Sequence, residues 1–342
     1  MQFNHFLSAY YPDPAYGGDR LYADMLEQAR LVERLGYRGV TIPEHHLINI
    51  LLVPDPLQLA VKVASVTQRL EVITSVSVLP LHDMRIFAGQ VVQADILCEG
   101  RLMLGVGRGA FAYELARMGK PIEESRERFD ESLDLLLALL SRENVEWHGK
   151  YYDFSPITVM PRPVRDIPIM MAALVPEAIE ASVRRGFHIQ TTPLNATVEK
   201  MQEQVAAFQR GRATLGGAGA GLRLSLSRVC CVARDDADAK AKLELARGYY
   251  GRFHNVYTGP GLVESGVIAP LPLNQSADEF RSSVLVCTAS EMVDRLKLYE
   301  ELGIDDFIMN PNLGHSQGES LEAIERFAAD VMPHFRPAGA RA

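Results

Sequence analysis

The chain has 342 residues, 47% hydrophobic and 23% charged, an ordinary globular composition with ample length for a large core. Its 35 Lys plus Arg against 43 Asp plus Glu give a net charge of −8, and no basic stripe recurs at helical spacing, which argues against nucleic acid as a partner. The opening MQFNHFLSAYY carries neither a basic leader nor a long apolar segment, and no run of about eighteen uncharged apolar residues occurs, so a cytoplasmic protein without membrane contact is expected.

Short β-branched runs alternate with longer helical patterns along the whole chain, the signature of a parallel sheet covered by helices. The strand-like runs are QFNHFLS (2–8), GVTIPEHH (39–46), EVITSVSV (71–78), RLMLGVG (101–107), IPIMMA (167–172), FHIQTT (187–192), LSLSRVCCV (224–232) and DFIMNPN (306–312). Eight such runs are the number that closes an α/β barrel, so the expected fold is an eight-stranded (β/α)8 TIM barrel with insertions, forming a single domain over 1–342. Helices are expected from Arg20 to Leu35, stopped by Gly36, from Ser125 to Leu140, and from Ser290 to Leu302, stopped by Gly303. ELGIDDFIMN, from Glu301, echoes RLGYRGVTIP, from Arg34, as one repeated unit of helix, Leu-Gly, short link and strand.

Two excursions break this regularity. Residues 141–166 mix aromatics, a His-Gly turn and prolines, which predicts a small hairpin followed by an extended Pro-rich segment. Residues 252–284 carry Gly and Pro with little periodicity and are expected to form a mobile lid. LGGAGAGLR (215–223) is expected as a surface linker, and 334–342 as a flexible tail. Cys98, Cys230, Cys231 and Cys287 show no metal or redox spacing, so reduced packing thiols and no metal site are expected.

GVGRGA (105–110) fits the dinucleotide fingerprint G-x-G-x-x-G/A through Gly105, Gly107 and Ala110. Its place in the fourth βα unit, not the first, favours a barrel over a nucleotide fold. Alternation then sends Leu102, Leu104 and Val106 toward the helices and Met103, Gly105 and Gly107 inward, leaving bare backbone near the C-terminal mouth against which a flat ring can lie. Arg108, at the strand end beside the next helix, is placed to hold an anion. On the second strand Val40, Ile42 and Glu44 share one face and Thr41, Pro43 and His45 the other, so His45 points into the mouth and His46 away. His45 is read equally as a proton-transfer residue or a structural histidine. On the third strand Ile73, Ser75 and Ser77 face inward.

TIPEHHLINI, RLMLGVGRGAFAYELARMG, PIEESRERFDESLDLL, YYDFSPITVMPRPV and TASEMVDRLKLYEELGIDDFIMN, in this order, together resemble the bacterial luciferase-like flavin monooxygenase family over nearly the whole chain. The resemblance implies a βα barrel binding flavin mononucleotide (FMN) at its C-terminal mouth. It makes His45 the active-site histidine, and it matches Ser75 and Val76 to a site where relatives carry a non-prolyl cis peptide behind the flavin ring. Arg108 with the backbone of Gly109 and Ala110 matches the phosphate-binding turn, and Arg126 a second basic phosphate contact, against its alternative as a helical salt bridge with Glu123 or Asp130. Gly107 stands where luciferases carry a cysteine facing the flavin, so light emission is not expected. AALVPEA replaces the Ser- or Thr-rich turn of relatives, leaving backbone N–H groups from Ala173 and Leu174 to Glu177 to serve the phosphate.

The expected activity is therefore a monooxygenase that takes reduced FMN from a separate flavin reductase and uses dioxygen to oxygenate a small apolar organic substrate through a shielded peroxyflavin. Phe6, Tyr10 and Tyr11, and His46, are candidates to line the substrate side. The alternatives are deazaflavin-dependent hydride transfer on the same barrel, which calls for more basic residues at the mouth, and a non-catalytic flavin-binding relative. The resemblance also implies a homodimer.

Overall fold

The computed structural model describes residues 1–11, 13–192 and 198–335. In chain order it runs β1 (Gln2–Phe6), α1 (Gly18–Arg34), β2 (Gly39–Ile42), α2 (Pro56–Ala64), β3 (Glu71–Thr74) with its short continuation β4 (Ser77–Val78), α3 (Met84–Leu97) and β5 (Leu102–Gly107). Next come α4 (Ala112–Arg117), α5 (Ser125–Ser141), the hairpin β6 (Val145–His148) and β7 (Asp153–Ile157), β8 (Ile169–Ala172), α6 (Pro176–Arg184), β9 (His188–Thr191) and α7 (Val198–Leu215). The last third holds β10 (Leu224–Ala233), α8 (Asp236–Tyr257), β11 (Val263–Glu264), β12 (Val267–Ile268), α9 (Ala277–Ser283), β13 (Leu285–Thr288), α10 (Ala289–Leu302), β14 (Asp306–Asn310) and α11 (Gln317–Asp330).

Eight parallel strands close on themselves in the order β1, β2, β3 with β4, β5, β8, β9, β10, β14 and back to β1, the barrel read from the sequence. The second strand is shorter than 39–46: Pro43 follows its last residue, and His45 lies beyond it in a loop, bridging Val53. The strand β13 was not anticipated; it pairs only with the C-terminal half of β10, Cys230 to Ala233, above the point where β9 leaves it.

Local chemistry sets the helix ends. Asp55 accepts the N–H of Gln58 ahead of Pro56, capping α2, and Ser316 with Glu319 forms a capping box on α11. Gly303, at φ 103°, ends α10 in the left-handed conformation that only glycine adopts without strain. Alternation divides the strand side chains as expected. Leu102, Leu104 and Val106 join the strand–helix core, while Met103 meets Ile73 and Met170 inside the barrel. The strand N-termini are closed by ions: Glu71 pairs with Arg38 at 3.1 Å and Arg223 at 3.0 Å, and both arginines approach buried Asp306 at 3.5 Å. With that end plugged, the C-terminal mouth is where a ligand can enter.

The 141–166 hairpin forms as expected. The 252–284 segment does not read as an aperiodic lid: α8 continues into it as far as Tyr257, the β11–β12 hairpin follows, and α9 occupies 277–283 under a Ser276–Glu279 capping box. In 215–223, Gly219 is buried in a 3-10 turn, not exposed in a linker. Of the expected loose tail, Phe335 packs edge-on to Phe3 at 5.3 Å; residues 336–342 lie outside the described residues. All four cysteines are buried and unbridged. No helix among the described residues is long and apolar enough to cross a membrane.

Candidate active site

At the mouth the loop after β2 brings His45 against α4. Its Nδ1 lies 2.8 Å from Glu114 Oε2, and the other oxygen of that carboxylate accepts the backbone N–H of His46. A carboxylate only accepts, so it holds the hydrogen of His45 on Nδ1 and leaves Nε2 as the free lone pair. The imidazole stacks on Phe111 with centroids 4.3 Å apart. Glu114 is only 5% exposed and lies 69 positions from His45; as a lone acid past a glycine-rich turn it carried no signal in the sequence.

His46 turns away from this pair, as expected, with Nε2 3.0 Å from Glu44 Oε1. Glu44 also receives His82 Nε2 and the Val78 N–H, at 2.7 Å for the latter. Burial pushes the Glu44 carboxyl up, but these hydrogen bonds outweigh it and hold it below its ordinary value. The same contact raises His46. This buried carboxylate ties the β2 loop to β4 beneath the mouth.

Between β3 and β4 the Ser75–Val76 peptide is cis. Ser75 Oγ donates to Gln190 Oε1 at 2.8 Å, crossing to β9. The two glycines of β5 answer to this detour. A Cβ on Gly105 would stand 1.8 Å from the Thr74 carbonyl oxygen, and one on Gly107 would stand 2.5 Å from Val76 Cγ2. Gly105 is thus required by close backbone approach and its space is filled by Thr74, which corrects the expectation that it lies bare beneath a ring. Gly107 faces Val76 and lies near Ala172, which is exposed at the end of β8.

That neighbourhood sets the turn after β5 beside the turn after β8. Arg108 and Ala110 are exposed, Gly109 adopts φ 82°, and Arg108 and Arg126 both act on Asp130 of α5. Helix α4, with six residues, is too short to supply the helix-end field expected for Arg108. The adjacent α6 has nine residues and Pro176 at its start, and its N-cap Val175 gives no side-chain cap. Ala173 is buried, Leu174 carries the carbonyl that accepts Gln204 Nε2 at 2.8 Å, and Glu177 is exposed in the first turn of α6. The Ala173 N–H, expected to serve the phosphate, is instead given to the Gln190 carbonyl at 3.0 Å, and Pro176 has none to give. Exposed Arg108 and Arg126, with the N–H groups of Leu174, Val175 and Glu177 at the uncapped start of α6, suit an oxyanion.

Phe6 and Tyr10 belong to an apolar cluster that also holds Phe111, Ile48, Ile50 and Tyr249. Tyr10 meets Tyr249 edge-on at 5.7 Å; burial raises its hydroxyl, with Arg252 drawing it partly back. Phe253 and Tyr257, from the end of α8, extend the same wall over Phe111. Tyr11 is not part of it: its hydroxyl donates to the Pro14 carbonyl at 2.5 Å on the outer rim. The structure therefore stacks His45 on Phe111, in one cluster with Phe6 and Tyr10, sets Ser75, Val76, Gly107 and Arg108 at the ends of β3 to β5 beside the end of β8, and leaves His46 and Tyr11 outside.

The profile described as luciferase-like monooxygenase matches residues 1–306. Among curated proteins, the chain is 27% identical to the oxygenase component of the flavin-dependent trigonelline monooxygenase of Acinetobacter baylyi, over 92% of this chain and 90% of that one. It is 25% identical to an F420-dependent glucose-6-phosphate dehydrogenase of Amycolatopsis mediterranei, over 92% and 95% of the two chains. Among solved structures, a monooxygenase of Streptomyces bottropensis superposes with a TM-score of 0.83 at 23% identity, covering 98% of this chain and 99% of the other.

Proposed function

Because the chain belongs to the luciferase-like monooxygenase family, we propose that this oxidoreductase is the oxygenase component of a two-component system, taking reduced FMN from a separate reductase to oxygenate a small apolar organic substrate. The observation that carries the reading is the arrangement of the mouth: a paired His45–Glu114 on one side, and Arg108, Arg126 and the uncapped start of α6 on the other. These residues fit a phosphorylated flavin. Arg108, Arg126 and the backbone N–H groups of Gly109, Ala110, Leu174, Val175 and Glu177 would hold the phosphate, and Ser75, Val76 and Gly107 would back the ring. Reduced flavin supplies the electrons that activate dioxygen.

The rest is work for this chain's own side chains. His45 Nε2, with the hydrogen fixed on Nδ1 by Glu114, accepts or returns a proton at the reacting edge. Phe6, Tyr10, Phe111, Phe253 and Tyr257 exclude water and offer an apolar surface to the substrate. Self-association fits an outward stripe of α3: Ile86 is 64% and Leu97 52% exposed, and Met160 and Val164 are exposed on the neighbouring strap.

The F420-dependent relative supports a second reading, hydride transfer with a deazaflavin, for which the same His45–Glu114 pair would handle the proton. Equilibrium titration with FMN, riboflavin and F420 separates the two. The main reading expects FMN to bind more tightly than riboflavin and than F420; preference for F420 replaces it with the second.

A further inference from the structure

Away from the mouth, β10 carries an arginine that the flavin reading does not use. Leu224, Leu226 and Cys230 all pack into the layer between strands and helices, so Arg228, on the same face of the strand, points outward from the barrel. It is 6% exposed. Its Nη1 donates to Tyr299 Oη at 3.1 Å and its Nη2 to the Ser283 carbonyl at 2.5 Å. Both partners are neutral, and among the described residues no carboxylate stands within ion-pair distance. Three of its five N–H donors are left over from these two bonds.

Arg228 lines a cleft of about 690 Å³ between α7, α10 and the α9–β13 segment, with Arg295 beside it. Arg295 donates to the Val284 carbonyl at 2.8 Å and shares Glu291 with Arg281, at 2.7 and 3.5 Å. The acid that lines the cleft, Glu279, is committed to its capping box, where it accepts the Ser276 N–H at 2.8 Å. Arg247 adds another positive charge, donating to the Gln275 carbonyl at 3.3 Å. Four arginines, Arg228, Arg247, Arg281 and Arg295, thus lie on or beside α9 and β13 against three acids, Asp278, Glu279 and Glu291, none of which pairs with Arg228. The carbonyls of Ser283 and Val284 explain how the arginines hold the entry to β13, but dipoles do not neutralise a charge, and a buried guanidinium without a counter-ion is costly.

We propose that this cleft binds a small organic anion, with Arg228 and Arg295 taking a carboxylate or phosphate head and Val198, Met201, Leu285 and Leu298 taking an apolar body. Its volume is in the range of ligand pockets and far exceeds a bare ion, so the ligand brings more than its charge. The site is separate from the mouth, and the proposal stands whichever cofactor the mouth takes.

The test uses the full chain with its methionine methyls carbon-13 labelled, titrated with hexanoate, hexyl phosphate and, as an uncharged control, 1-hexanol. Met201 lines the cleft, whereas Met103 and Met170 lie inside the barrel. The Met201 signal, identified by Met201→Leu, should shift saturably with one or both anions, and the tighter of the two names the head group. 1-Hexanol should bind at least tenfold more weakly, Arg228→Gln should weaken anion binding at least tenfold, and Arg108→Ala should leave it unchanged. Should Arg228→Gln not fold, Arg295→Gln carries the same expectation. Equal binding of 1-hexanol, anion binding indifferent to the cleft arginine, loss of the shift in Arg108→Ala, or no shift at Met201 would each overturn the proposal.

Discussion

Replacing Glu114 by Gln tests the proton-handling pair with little change of shape. In the native chain one carboxylate oxygen takes the His46 N–H and the other takes His45 Nδ1 at 2.8 Å. If the glutamine keeps its oxygen on the His46 N–H, its NH2 faces His45 Nδ1. That nitrogen must then accept, and the hydrogen moves to Nε2. The histidine stays in place as the wrong tautomer, a change that costs about 10⁴ in rate in the serine protease triad. The His45 side chain is 16% exposed, so water relieves part of the penalty. A loss of about 10² to 10³ in coupled turnover, roughly 3–4 kcal/mol of barrier, is expected. Exchanging charge-assisted for neutral hydrogen bonds should lower stability by only about 1–2 kcal/mol. The assay is the rate of product formation with oxygen consumption followed alongside, with a substrate the wild type turns over, beside FMN affinity and a thermal melt. A folded Glu114→Gln protein that forms product within about threefold of the wild-type rate would show that the tautomer does not matter.

Arg108→Ala should weaken FMN by about tenfold, since one solvent-exposed charge-assisted contact is worth about 1.5 kcal/mol, while riboflavin affinity stays the same; equal weakening of both, by equilibrium dialysis, contradicts the phosphate role. Glu44→Gln should remove a pH-dependent contribution to stability. The raised His46 stabilises fully below its ordinary value of 6.5 and loses this as pH rises through its folded value; the lowered Glu44 stabilises above its ordinary 4.5 and loses this as pH falls through its folded value. The melting-temperature difference between wild type and variant should therefore be largest between pH 4.5 and 6.5, and a flat difference counts against the cluster. Gly105→Ala should destabilise by about 1–3 kcal/mol or more, because its Cβ meets backbone oxygen that no rotamer change relieves; an unchanged denaturation midpoint would show that Thr74 yields freely.

The barrel was legible because each of its eight strands carries enough alternation, and enough punctuation by Gly or Pro, to register as a strand, and the inward set on β5 followed from parity alone. β13 was not, since LVCT is too short for a period and its partner is only half of β10. The end of α8 was hidden for a different reason: the Gly- and Pro-rich run that follows Tyr257 breaks the periodicity of the whole 252–284 stretch, although its first six residues are the last turns of a helix that sets Phe253 and Tyr257 over Phe111. Gly105 was placed on the correct face with the wrong cause, because the detour of Thr74 to Val76 has no local composition cue. Glu114 carries no cue of its own and Glu44 shows only its strand face, because what matters in each is its partner, and His45, His46, His82 and Val78 reach them only once the loops converge.

A mouth built as proposed must hold reduced flavin and control its reaction with dioxygen. Anaerobic protein loaded with photoreduced FMN should be mixed with oxygenated buffer, following flavin reoxidation by its absorbance at about 450 nm together with released hydrogen peroxide. Reoxidation should be at least tenfold slower than that of free FMN, with peroxide appearing late, and should change again when Glu114→Gln protein replaces wild type. Reoxidation at the rate of free flavin, or no binding of reduced FMN at all, would contradict the proposed function.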